Sequence, residues 1–206
     1  MIDTIPLREL KILKKLNTPI KIQDFLDKMP INFEPNGDTC ISPMSVLKEN
    51  TCHCIEGAIL AALAMRLNGW PPLLLDLTAN KNDYDHVVAV FKRGGKWGAI
   101  SKTNHVALRY REPIYNSLRE LAMSYFHEYL DDFGRKNLRS YSLPVNLKRF
   151  DKLGWMTTTD EVYYIPEYLV EVKHFPLLNQ KQIRNLRPAD PFEIKIGQMT
   201  EWKKRS

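Results

Sequence analysis

The segment from Cys54 to Leu67, CIEGAILAALAMRL, constrains the fold more than any other. It is apolar on nearly every side, so it suits a helix buried all round at the centre of a domain. Thr51 stands ahead of it as a candidate cap, Asn68-Gly69 would close it in a left-handed turn, and Pro71-Pro72 forbid its continuation. Leu73 to Leu77 then reads as a buried strand. After a polar loop from Asn80 to Tyr84, the runs His86 to Phe91 and Trp97 to Ser101 flank Gly94-Gly95, the pattern of a β-hairpin. A central helix packed on an antiparallel β-sheet follows, an α+β fold.

Both flanks carry further elements. Leu7, Leu10, Leu13 and Leu16 sit at helical spacing against Arg8, Lys11, Lys14 and Lys15. Thr18-Pro19 and Ser42-Pro43 are helix starts, each a capping hydroxyl followed by a proline suited to the first turn. The stretch from Ile31 to Cys40 reads as loop. Ile114 to Leu130 has the apolar spacing of a long helix. Glu161 to Ile165 and Tyr168 to Val172 read as short strands, and Lys203-Lys204-Arg205 as a basic tail.

The 206 residues favour one domain. The longest apolar run, Ala58 to Met65, is far short of the roughly 20 residues a membrane span needs, and Met1-Ile2-Asp3-Thr4 begins no signal peptide. A soluble, cytoplasmic protein with no membrane partner is expected. The three cysteines, an odd number in a chain of this size, argue against a disulfide scaffold and leave a free thiol. The +6 charge concentrates in residues 101–150, but Arg109, Arg111, Arg119, Arg135, Lys136 and Arg139 alternate there with acidic residues. That pattern fits a solvated basic rim, open to acidic substrates, better than a nucleic-acid footprint.

Cys54 starts the buried helix, where free N–H groups and the helix dipole favour thiolate over thiol. A nucleophilic thiol needs a proton acceptor and donor, and His86 at the mouth of a strand offers one. If Lys92 pairs with Trp97 across the hairpin, His86 falls opposite Thr103, and His86, Ser101 and Thr103 share a face. A one-residue change of register brings Asn104 to His86 instead. Ser101 and Asn104 are thus rival third members beside Cys54 and His86.

The stretch CHCIEGAILAALAMRLNGWPPLLLDL resembles the nucleophile helix of the transglutaminase-like, papain-like cysteine enzymes, through Cys54, Ala58, Gly69, Pro71 and the strand from Leu73. DHVVAVFKRGGKWGAIS continues the resemblance, with His86 and Trp97 at that family's His and Trp and with Ser101 where it carries Asp. The resemblance implies a transglutaminase-like core over residues 42–130, with 1–41 a helical extension and 131–206 a covering segment. It further implies acyl transfer from a peptide or protein amide through a Cys54 thioester, with no cofactor and no metal.

Other readings stay open. Glu56 is either a carboxylate suited to the helix dipole or a group that bonds the neighbouring loop or a polar substrate. Trp70 could line a groove, Trp97 belongs to the core, and Asp76 is either exposed at a strand edge or paired with Arg109 or Arg111. Both Trp70 and Asp76 are candidate substrate contacts. Cys40, Cys52, His53, Cys54 and His86 could make a zinc site, although Cys-His-Cys is not its usual spacing. With Ser101 in place of a carboxylate, the cleft could also serve as a non-catalytic peptide-binding module.

Overall fold

The computed structural model describes residues 5–202, so the basic tail at 203–205 lies outside the described residues. Helix α1 (Leu7–Lys15) leads into α2 (Pro19–Asp27) and α3 (Pro43–Glu49). Thr18 caps α2 by accepting from the Lys21 N–H at 3.3 Å, and Ser42 caps α3 by accepting from Ser45 N–H at 3.2 Å. Helix α4 (Cys54–Leu67) is buried without a break from Ile55 to Met65, as a helix apolar on all sides must be. Gly69 closes it at φ +85°, a conformation glycine adopts without strain. Its N-cap is His53 rather than Thr51, whose hydroxyl instead donates to the Pro30 carbonyl at 3.2 Å.

The sheet is antiparallel throughout and is built around β1 (Leu73–Ala79), β2 (His86–Arg93) and β3 (Lys96–Ile100). Lys92 pairs with Trp97 as the hairpin reading requires. Side chains alternate between two apolar clusters. Leu74, Val87, Ala89 and Ile100 join the cluster around α4, whereas Leu75, Leu77, Val88, Val90 and Ala99 join Leu121, Tyr125 and Phe126 on the opposite face. Burial on both faces explains why these strands read as continuous apolar runs rather than alternating ones.

The remaining elements differ from the sequence reading. Residues 114–130 do not form one long helix: β4 (Arg111–Tyr115) pairs with β3, and α5 spans only Leu118–Ser124. Ser117 sets the break by capping α5 through Glu120 N–H at 3.1 Å. The apolar spacing persists past the helix because Tyr125, Phe126 and Tyr129 stay buried in the turns that follow. The two strands expected at 161–165 and 168–172 are instead helix α6 (Tyr164–Glu171). It buries Ile165 and Leu169, one turn apart, and tolerates Pro166 in its first turn.

Residues 131–206 do more than cover. Strands β5 (Leu138–Ser142) and β6 (Val145–Asn146) both pair with β1, and β7 (His174–Pro176) pairs with β5. The strand order is β4-β3-β2-β1-β5-β7, with β6 also on β1. Helices α7 (Gln180–Arg184) and α8 (Pro191–Gly197) follow, and after α8 the Met199 carbonyl accepts from Val106 N–H at 3.1 Å, beside the hairpin's exit loop. Among the described residues no helix is long and apolar enough to cross a membrane.

Candidate functional site

Helix α4 and strand β2 bring Cys54 and His86 to one cleft of about 750 Å3. Its walls come from the loop at residues 31–34, the loop before β2, the segment after β3 and residues 128–135. Cys54 is the first residue of α4, where helix amides have no partner within the helix. Burial alone would raise the thiol, but hydrogen bonds from His53 and His86, with their charges, lower it to about 5.

Behind His86 the polar groups form a row. His86 Nε2 lies 2.8 Å from Ser101 Oγ, and Ser101 Oγ is hydrogen bonded to the Leu108 carbonyl. A carbonyl only accepts, so the single Ser101 proton goes to Leu108, and Ser101 must accept from His86 Nε2–H. That leaves Nδ1 as the basic nitrogen of the neutral His86 ring. Leu108 is held at φ +58°, and its N–H donates to the Glu128 carboxylate at 3.0 Å. Ser101 is fixed from behind as well, since Gln23 accepts its N–H at 2.9 Å and donates to its carbonyl at 2.8 Å.

Ser101 thus occupies the third position, although not through the expected pairing. The β2–β3 ladder ends at Ala89 and Ile100, so Thr103 does not sit opposite His86 and the chain turns away after Ser101. Asn104 lines the cleft, but its main-chain carbonyl is turned to Glu201, whose N–H it accepts at 2.8 Å. It is not hydrogen bonded to His86.

Two groups that the sequence reading left at the margin lie at the centre. Glu56 is fully buried and binds the neighbouring loop. Its carboxylate accepts from His53 N–H at 2.9 Å, Thr39 Oγ1 at 2.9 Å and Ile41 N–H at 3.0 Å, with Asn32 Nδ2 at 3.2 Å. Burial would raise its pKa, but these bonds and the His53 charge lower it. His53 has its Nδ1 4.0 Å from Cys54 Sγ and its Nε2 beside Glu56, Glu34 and the Thr39 carbonyl. Once the cap is placed at His53, a glutamate three residues on is the sequence signal for the first of these. Nothing local signals the loop it holds.

The two proposed substrate contacts lie elsewhere. Trp70 packs edge-on against Phe91, with ring centroids 6.1 Å apart, beside the α4 cluster. Asp76 is buried and pairs with neither Arg109 nor Arg111. It accepts from Thr78 Oγ1 at 2.8 Å and lies 3.1 Å from His174 Nε2, joining β1 to β7. Burial, with Asp85 nearby, raises its pKa to about 6. A carboxyl raised in the folded state stabilises the fold at low pH and loses that contribution as pH climbs through about 6. Asp76→Asn should therefore gain Tm relative to wild type between pH 5 and pH 7, measured by paired thermal melts.

The basic-rim expectation also fails. All six basic side chains are engaged within the protein. Arg109 pairs with Glu201, Arg111 with Glu128, and Arg135 with Asp131. Arg119, Lys136 and Arg139 donate to main-chain carbonyls. The cleft wall instead carries Glu34, Asp83, Asp85, Glu128, Asp131 and Asp132 against Lys102 and Arg135. Lys102 is itself buried, donating to the Leu26 and Met29 carbonyls.

Cys40 and Cys52 are buried thiols, both raised by burial, and Cys52 packs on Met29. Among the described residues no cluster of three or more His, Cys, Asp or Glu side chains is arranged to hold a metal ion. No protein-family model matches the chain, and no curated protein matches it in sequence.

Proposed function

We propose that this protein is a cysteine enzyme of transglutaminase-like type that transfers an acyl group from a peptide or protein amide through a thioester on Cys54. The observation that carries this reading is the row His86, Ser101 and the Leu108 carbonyl, which leaves Nδ1 as the basic nitrogen of a ring that shares the cleft with Cys54, whose thiol His53 and His86 lower to about 5. The thiolate attacks the amide carbon, and the first-turn amides of α4 face the oxygen on which charge develops. As the C–N bond breaks, His86 Nδ1 gives its proton to the leaving nitrogen. Water or an amine, giving a proton to His86, then attacks the thioester and releases Cys54 as thiolate.

Ser101 takes the place of the carboxylate expected behind His86. It fixes the imidazole tautomer through the Leu108 carbonyl, but brings a dipole rather than a full charge. The acid-lined cleft favours neutral or cationic substrates. Three free cysteines suit the reducing cytoplasm.

Treating the full chain with a p-nitrophenyl ester tests the reading without knowledge of the natural substrate. Release of one equivalent of nitrophenol, with the acyl group mapped to Cys54 and removed by hydroxylamine, is the expected outcome. A chain that stays unacylated, or is acylated equally after Cys54→Ala, contradicts it. The second reading, a non-catalytic peptide-binding cleft, is favoured by Ser101 alone and predicts that negative result.

A further inference from the structure

The cleft holds a second imidazole against the thiol, and its surroundings differ from those of His86. His86 is backed by a hydroxyl and a carbonyl. His53 is backed by two carboxylates: its Nε2 lies 3.3 Å from Glu56 and 3.4 Å from Glu34, with the Thr39 carbonyl at 3.0 Å. Three acceptors around one nitrogen require that it carry a proton, and two carboxylates favour a proton on the other nitrogen as well. That other nitrogen, Nδ1, is the one 4.0 Å from Cys54 Sγ. The negative charge that the family resemblance leads one to expect behind His86 stands behind its neighbour instead.

We propose that His53 is a further catalytic residue, a permanently charged imidazolium that holds Cys54 as thiolate, while His86 carries the mobile proton. This assignment rests on the reading of Cys54 as an acyl-accepting nucleophile. The proton balance divides between the two rings. In the resting site the Cys54 proton resides on His86 Nδ1. Attack forms the S–C bond and moves the carbonyl π pair to oxygen. Collapse breaks the C–N bond, and the leaving nitrogen takes the His86 proton. In deacylation the incoming water or amine gives a proton to His86, the S–C bond breaks, and the sulfur pair returns to face His53. His53 neither gains nor loses a proton at any stage.

The distance supports that division. At 4.0 Å the contact to sulfur is long for a hydrogen bond along which a proton would pass, yet a full charge acts strongly there in a partly buried site. Burial alone would lower the His53 pKa, but its bonds to Cys54 and Glu56 raise it to about 11, far above the range in which a shuttle works. The other titratable groups around the thiol are accounted for. Glu34 and Glu56 face His53, Cys40 is a buried neutral thiol, and Tyr129 donates its hydroxyl proton to the Tyr84 carbonyl. Asp83 accepts from Asn137, Asp85 accepts from Ala79 N–H, and Lys102 is turned to the Leu26 and Met29 carbonyls.

The test is the pH profile of Cys54 alkylation by iodoacetamide, read by peptide mapping on the full chain. His53→Gln should lower the rate at pH 6 by about tenfold or more, a rise of at least one unit in the thiol midpoint. Glu34→Gln keeps the acceptor that Thr39 uses and leaves the α4 cap intact, and should shift the profile the same way by about threefold. Imidazole NMR should show His53 still protonated past about pH 9, where an ordinary histidine is neutral. A folded His53→Gln with the wild-type profile overturns the assignment, as does a His53 ring that titrates near 6.5. If His53→Gln does not fold, Glu34→Gln and the NMR titration decide alone. Acylation of Cys54 by the ester in wild type is read separately, so the proposed function survives failure here, and its own failure shows only there.

Discussion

His86→Ala is expected to slow acylation of Cys54 by a p-nitrophenyl ester, and its return to free enzyme, by about 10²–10⁴-fold. Nε2 is committed to Ser101, so Nδ1 is the nitrogen left to carry the proton in the proposed reaction. Removing the ring removes that path and one of the two hydrogen bonds that lower the thiol. Ser101→Ala should act in the same direction but less, because it frees the tautomer without removing the base. Burst and steady-state nitrophenol release separate the two steps. Unchanged rates in a folded His86→Ala would remove His86 from the site.

Glu56→Ala is expected to be the most destabilising single change near the cleft, costing about 3–5 kcal/mol, because it removes the fully buried carboxylate paired with part-buried His53 and leaves that cation with Glu34 alone. It also strands the Ile41 and His53 N–H groups and the Thr39 hydroxyl, and so releases the loop that carries Glu34. The effect has a pH signature. A carboxylate lowered in the folded state stabilises above its unfolded pKa, and that contribution drains away as pH falls through the folded value. The gap between wild type and variant in urea denaturation should therefore be full at pH 7 and narrow below about pH 4. A variant within about 1 kcal/mol of wild type at pH 7 would show that the loop is held by other means.

How legible the molecule was depended on the range over which each residue acts. From Cys54 to Ile100, burial, turn chemistry and hairpin register are all local, and these were readable: the cap at Gly69, the pairing of Lys92 with Trp97, and the strands between. Ser101 beside His86 was readable too, although the ladder that was to carry it ends one residue earlier. At Ser117 a capping hydroxyl outweighs an apolar period that runs on through buried turns, so the helix expected over 114–130 is cut short. At Tyr164 to Glu171 the aromatic and β-branched residues suggested strand, but the four-residue spacing of Ile165 and Leu169 decides for helix.

The parts that were not legible are held by long-range contacts. Asp76 depends on His174, which is 98 positions away, and β5 reaches β1 only because the C-terminal third returns to the sheet. Glu56 and His53 owe their roles to Thr39, Ile41 and Glu34, in a segment that reads as plain loop. The charge of the cleft was misread for the same reason: the basic residues of 101–150 are bound within the protein, while carboxylates from three separate segments line the opening.

The proposed chemistry requires that Cys54 be a thiolate near neutral pH, held so by the histidines that face it. The most direct measurement is the rate of iodoacetamide alkylation of Cys54 against pH, in wild type and His86→Ala. A wild-type midpoint of about 5, moved upward in the variant, is the predicted result. A midpoint near 8.5, the same in both proteins, would contradict it.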